Sequence, residues 1–206
     1  YTSADIYPKR QSVNSAGDFS ITQYAGTFDA QNQIKTIPHG LSGTPDWVVI
    51  KNTGDTYGWT VFHTNMTANK ILRINTDDDE EDSDWGYMTT NTNGNLLDLH
   101  SSTASGSSAH YGKRVGRSGH NYIMYAWKAV AGVSAFGTYS GDNQLTAGIN
   151  LGFVPRFVII KRTDSTANWV MIDSFRGSGT TGSTDAVCLL ADTNDNDELR
   201  QGFEFS

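Results

Sequence analysis

Pro45-Asp46-Trp47-Val48-Val49-Ile50-Lys51-Asn52-Thr53 returns 110 positions later as Pro155-Arg156-Phe157-Val158-Ile159-Ile160-Lys161-Arg162-Thr163, without a gap as far as Trp59 and Trp169. Across 45–63 and 155–173, seven of nineteen residues are identical: Pro45, Val48, Ile50, Lys51, Thr53, Thr56, Trp59 and their partners. Matching at a fixed offset is the signature of a duplicated structural unit. Gly26-Thr27-Phe28 extends it upstream to Gly137-Thr138-Tyr139 at an offset of 111, and Ile71-Leu72-Arg73-Ile74 extends it downstream to Val187-Cys188-Leu189-Leu190 at 116. The drift places small insertions in the loops.

Each copy reads as strands. Trp47 to Ile50 and Phe157 to Ile160 are unbroken apolar runs entered through a proline. Such runs suit a strand buried on both faces, and the first strand position can spare its N–H. A polar turn follows, then a strand that opens on Trp59 or Trp169, so strand, turn and strand predict a hairpin in each copy. Both tryptophans read as core anchors. Tyr122 to Val130 predicts a longer central strand, because both of its alternating sets are largely apolar. No segment holds a 3.6-residue period, and the fold class expected is all-β, an antiparallel β-sandwich (jelly-roll or lectin-like) built from two related repeats. Residues 1–18 read as an N-terminal arm or linker, and 19–206 as one sandwich domain with repeat one over 19–136 and repeat two over 137–206.

Composition agrees. Of 206 residues 18% are charged and 21 are Gly, which favours short strands with many turns over helices. The net charge of −7 argues against nucleic acid, whose phosphates need Lys and Arg. The single cysteine, Cys188, excludes an internal disulfide and a Cys-based zinc site. No run approaches the ~18 apolar residues of a membrane helix, so membrane insertion is not expected. The start on Tyr1 reads as a trimmed or interior beginning. Repeat two stops at Gly202-Phe203-Glu204-Phe205-Ser206 with no counterpart to the region after Trp85, so an unpaired sheet edge is expected, filled by residues beyond 206 or by another chain.

The ordered blocks resemble a known family. Phe19-Ser20-Ile21, Pro38-His39-Gly40-Leu41, Pro45-Asp46-Trp47, Trp59-Thr60-Val61-Phe62-His63, Ser118-Gly119-His120-Asn121-Tyr122, Phe136-Gly137-Thr138-Tyr139 and, most specifically, 152–174 resemble a β-rich duplicated module of tailed-bacteriophage virion proteins, common in marine phages. Two departures are an acidic run over 77–84 heavier than usual and Trp127 where another aromatic is commoner. The resemblance implies a virion structural protein of a tail fibre, spike or similar appendage, on the extracellular particle surface. It implies other virion chains as partners, a homo-oligomer, and no catalytic residues to transfer.

Local chemistry competes with packing at three kinds of position. Gly177-Ser178-Gly179-Thr180-Thr181-Gly182 has the dinucleotide-loop spacing but precedes a strand, so it reads as a loop insertion. The five histidines form no metal or catalytic motif and read as structural. The acidic runs read first as solvated loops. Calcium, which takes six to eight hard oxygens, is the alternative, with Asp77, Asp79 and Glu81 as candidate ligands. Trp85 and Tyr87, beside Asn91 and Asn93, read first as packed under a loop. The functional alternative is a glycan site, with rings stacking on a sugar face and amides holding hydroxyls. A non-enzymatic host-surface attachment role leads; a capsid-decoration or filament subunit is the alternative, and a polysaccharide depolymerase comes third.

Overall fold

The computed structural model describes residues 4–83, 85–101, 111–141, 148–176, 185–196 and 198–201. It is all-β: every strand ladder is antiparallel, and no helix occurs among the described residues. Contacts separate two compact units, residues 1–73 with 80–129 and residues 74–79 with 130–206.

The first unit is sandwich-like. Its larger sheet takes β1 (Pro8–Val13), β2 (Phe19–Ala25), β4 (Trp47–Asn52), β5 (Thr60–His63), β6 (Lys70–Arg73), β7 (Glu81–Asp82) and β10 (Asn121–Trp127) in the order β1-β2-β10-β4-β5-β6-β7. Its smaller sheet runs β3 (Ile34–Pro38), β9 (Leu96–His100), β8 (Tyr87–Thr90). Both contribute to one core. Tyr24, Val48, Ile50, Tyr122, Met124 and Ala126 come from the larger sheet, and Ile37, Met88, Leu97 and Leu99 from the smaller. The period of two along β10 explains the division: 122, 124 and 126 are buried, while Ile123, Tyr125 and Trp127 are half-buried on the opposite face. There Trp127 lies directly across from Phe19 and Trp47, with both ring centroids 5.0 Å away.

The expected arm over 1–18 is corrected by these ladders. Residues 8–13 are a full strand against β2, and Ile6 is buried in the core, because β2 would otherwise present an unpaired edge. Asp5 holds this segment down: its carboxylate accepts the Thr36 N–H and hydroxyl, each at 2.8 Å, which lowers its pKa.

The second unit is a four-stranded meander, β11 (Phe157–Ile160), β12 (Val170–Asp173), β13 (Asp185–Leu190) and β14 (Glu198–Gln201). Ile172, Ala186 and Cys188 form its small core, with Val170 packed on it. Its first hairpin keeps the register of β4 and β5: Phe157 faces Asp173 as Trp47 faces His63, and Ile160 faces Val170 as Ile50 faces Thr60. The matched lysines also do the same work. Lys51 Nζ donates to the Tyr57 carbonyl, and Lys161 Nζ to the equivalent Ala167 carbonyl at 2.8 Å, clipping each hairpin loop. Even the unmatched pair His63 and Asp173 shares a task. His63 Nδ1 accepts the Asn65 N–H and Asp173 Oδ1 the Phe175 N–H, both at 3.0 Å, so different side chains close the same turn.

Three expectations change. The third strand matches at 117 rather than 116, since Leu190 faces Val170 as Arg73 faces Thr60; apolar stretches align equally well one residue out, and only the ladder decides. Phe157–Ile160 is not buried on both faces: Phe157 is 55% exposed and, among the described residues, β11 has a strand on one side only, because an apolar run specifies a strand but not its neighbours. Trp169 is a core anchor at 3% exposure, whereas Trp59 is half-buried with Tyr125 at 6.2 Å on the sheet's other face. The Gly-rich stretch over 177–182, His110, Asp84 and the Ser/Gly stretch over 102–108 lie outside the described residues.

Candidate functional site

Residues 111–119 form a basic turn, Tyr-Gly-Lys-Arg-Val-Gly-Arg-Ser-Gly, in an acidic protein. Its backbone closes on itself: the Gly112 carbonyl accepts the N–H groups of Val115, Gly116 and Arg117 at 3.0, 2.7 and 2.9 Å. Two buried tyrosines of the larger sheet fasten it from below. Tyr24 and Tyr122 stack with centroids 5.2 Å apart. Tyr24 Oη donates to the Val115 carbonyl at 2.5 Å, and Tyr122 Oη donates to the Lys113 carbonyl while accepting the Arg117 N–H, both at 3.0 Å. Burial pushes both phenols up, so both keep the protons these bonds need. Asn52, buried at the end of β4, adds its Nδ2 donor to the Lys113 carbonyl at 3.0 Å. Phe28 fills the space beneath, and at Gly112, where φ is +63°, a Cβ would stand 2.5 Å from its ring.

This fastening delivers Lys113 and Arg114 to two aromatic rings. Lys113 Nζ lies 5.0 Å from the Tyr57 centroid and donates to Tyr57 Oη at 2.5 Å. The Arg114 guanidinium lies 5.2 Å from the Trp85 centroid. Trp85 meets Tyr57 edge-on at 5.4 Å and 78°, a favoured aromatic geometry. Gly86 (φ +111°) lets the chain turn here, since a Cβ would sit 2.8 Å from Val115 Cγ2 and 2.9 Å from the His100 carbonyl. Behind the rings Glu81 lies 2.8 Å from Arg73 and 3.6 Å from Arg114, which is 8% exposed. A nearly buried cation thus has a carboxylate on one side and a ring on the other. The outer members, Tyr57, Trp85 and Lys113, are half-buried and keep part of their surface open. The arrangement offers apolar ring surface beside a fixed positive charge.

The residues nominated from sequence do not gather into one site. Trp85 joins the cluster just described. Tyr87 instead stacks on His100, with centroids 4.3 Å apart at 8°, and His100 Nε2 meets Thr89 Oγ1 at 2.8 Å; burial lowers the His100 pKa. Asn91 donates to Asp98 at 2.5 Å and accepts the Asn93 N–H at 2.7 Å, while Asn93 accepts the Asn95 N–H at 3.3 Å. Both amides therefore build the β8–β9 turn. Among the described residues no three His, Cys, Asp or Glu side chains gather as cation ligands, so Asp77, Asp79 and Glu81 do not come together as a calcium site. Glu81 is held by its two arginines, and the Asp77 carbonyl is occupied by Lys161 Nζ at 3.1 Å and the Ala167 N–H at 2.8 Å. Tyr57, Lys113 and Arg114 were not anticipated. Three cations within five residues of a chain with net charge −7 was the available signal.

A family model matches residues 2–205, and its description is Domain of unknown function (DUF7483). The chain belongs to this family. No curated protein and no solved structure matches it.

Proposed function

We propose that this chain is a non-enzymatic structural module of a bacteriophage virion appendage, such as a tail fibre or spike, that helps attach the particle to glycan on the host surface. The observation that carries the attachment role is the Tyr57–Trp85 pair, half-buried with part of its surface open and flanked by Lys113 and Arg114 on a turn fastened by buried tyrosines. Ring faces stack on the C–H faces of sugars, and a preorganised cation selects those carrying carboxylate or phosphate. The resemblance of the ordered sequence blocks to phage virion modules supports the virion setting, and the turn-rich all-β architecture suits it.

The test is an array of bacterial surface polysaccharides probed with the labelled chain. Binding is expected to fall by about tenfold or more in Trp85→Ala and Tyr57→Ala and to persist in Trp59→Ala, whose ring packs on another face. Equal loss in all three variants, or no binding to any acidic glycan, would overturn the reading. A second reading, an assembly subunit without a receptor role, is favoured by the exposed apolar residues Tyr139, Ile149, Val154, Phe157 and Phe175 of the second unit.

A further inference from the structure

Asn93-Gly94 is the one Asn-Gly pair in the chain; every other asparagine precedes a residue that carries a Cβ. The pair lies in the connection between β8 and β9, with Asn93 exposed and Gly94 half-buried. Hydrogen bonds fix the turn. The Leu96 N–H donates to the Asn93 carbonyl at 2.9 Å, and the Asn93 N–H donates to Asn91 Oδ1 at 2.7 Å. The Asn93 side chain is oriented as well, because its Oδ1 accepts the Asn95 N–H at 3.3 Å.

These placements assemble the parts of a reaction. The main-chain nitrogen that follows an asparagine can close a ring on that residue's own Cγ, and glycine offers no Cβ to crowd the approach. Attack places negative charge on Oδ1, where the Asn95 N–H already donates. A hydrogen bond to a charged oxygen is shorter and stronger than one to a neutral carbonyl, so this donor favours the tetrahedral intermediate over the resting amide.

We propose that Asn93 is a spontaneous modification site, at which the Gly94 main-chain nitrogen displaces the side-chain amide and water opens the resulting succinimide to aspartate or isoaspartate. The Gly94 N–Cγ bond forms as Cγ–Nδ2 breaks, and the Gly94 N–H proton leaves with Nδ2 as ammonia. Water then adds to one of the ring carbonyls, and nothing is oxidised or reduced. Opening at Cγ leaves aspartate on an unchanged main chain. Opening at the α-carbonyl routes the main chain through Cγ and lengthens it by a methylene group.

The two products differ because the turn is tied to the core. The Gly94 carbonyl accepts the His39 Nε2 donor at 3.1 Å, and His39 is fully buried. Aspartate keeps the chain length and an oxygen for the Asn95 N–H. Isoaspartate displaces the Gly94 carbonyl and leaves a buried imidazole N–H without its acceptor, which is costly.

The test incubates the full chain in mildly acidic and mildly alkaline buffer, with peptide mapping by mass spectrometry and isoaspartyl methyltransferase labelling. Asn93 is expected to gain about 1 Da, faster in the alkaline buffer, and to convert about tenfold or more faster than Asn91 or Asn95. Gly94→Ala places a Cβ 3.2 Å from Thr44 Oγ1, the end of a side chain that can turn aside. Asn93→Gln, at an exposed position, requires a larger ring. Each variant slows the change by about tenfold or more. The isoaspartyl product, separated by chromatography, melts at a lower temperature than the aspartyl product. Retention of the amide while an isolated peptide of residues 90–97 converts overturns the proposal, as does an unchanged rate in Gly94→Ala. Conversion only after urea unfolds the chain overturns it too, since the folded turn would then protect the amide. Equal melting of the two products overturns the tie to His39. None of these readouts uses the Trp85 cluster, so the proposal stands or falls apart from glycan attachment.

Discussion

His39 ties the end of β3 to the β8–β9 turn, and its protonation is expected to loosen the first unit in mildly acidic solution. The ring is fully buried; Nδ1 accepts the Leu41 N–H and Nε2 donates to the Gly94 carbonyl, both at 3.1 Å. Desolvation lowers its pKa from 6.5 to about 4, against a smaller upward pull from the Gly94 bond. The unfolded chain therefore holds more protons than the folded one between those values. The stabilisation is complete above pH 6.5, declines as pH falls toward 4, and levels off below. At pH 5 the loss amounts to about 2 kcal/mol, since each tenfold difference in proton affinity between the folded and unfolded chain is worth about 1.4 kcal/mol. His63 and His100 are also lowered by burial and add loss of the same sign, so His39 must be isolated by difference. Urea denaturation of the wild type and His39→Asn at pH 7 and pH 5, followed by tryptophan fluorescence, does this; Trp47, Trp59, Trp85 and Trp127 all lie in the first unit. The substituted amide can still accept the Leu41 N–H but cannot titrate. The wild type should lose about 2 kcal/mol more than the variant between the two pH values. Equal losses would refute the reasoning, because the burial of a neutral imidazole would then carry no linkage.

Two further perturbations probe the fold. Gly26→Ala places a Cβ 2.1 Å from the Arg117 carbonyl, where neither backbone can yield, since Phe28 bonds to both Gly116 and Ser118 at 2.8 Å. Its cost should be about 3 kcal/mol or more in thermal or urea melts, and a loss below about 1 kcal/mol would mean the basic turn is not fastened as described. Lys51→Met and Lys161→Met should each destabilise their own unit by about 1 kcal/mol, read by amide exchange in the two hairpins. An effect in only one of them would undo the equivalence of the two lysine clips.

Much of the strand content could be read from local pattern. The proline-led apolar runs, polar turns and tryptophan-led strands over 45–63 and 155–173 are hairpins, and the two apolar sets of Tyr122–Trp127 do mark a central strand. The lysines at 51 and 161 stood out as identical residues, although their use as clips across the turn did not. The candidate site was legible in one residue, Trp85. Tyr57, Lys113 and Arg114 lie 28 or 29 positions from it along the chain, and their meeting depends on Tyr24, Tyr122, Asn52 and Phe28 beneath the turn.

By itself, then, the sequence determined the strand class and the hairpins, because these rest on side-chain alternation and on contacts a few residues apart, while the register of the strands did not follow from it. The tertiary structure decided which edges are covered, that Phe157 is exposed while Trp47 has β10 beside it, and which of Trp85, Tyr87, Asn91 and Asn93 share surroundings. Burial and neighbourhood belong to pairs of segments far apart in the chain, and two strands of similar sequence have different surroundings when, among the described residues, only one has a partner on both sides.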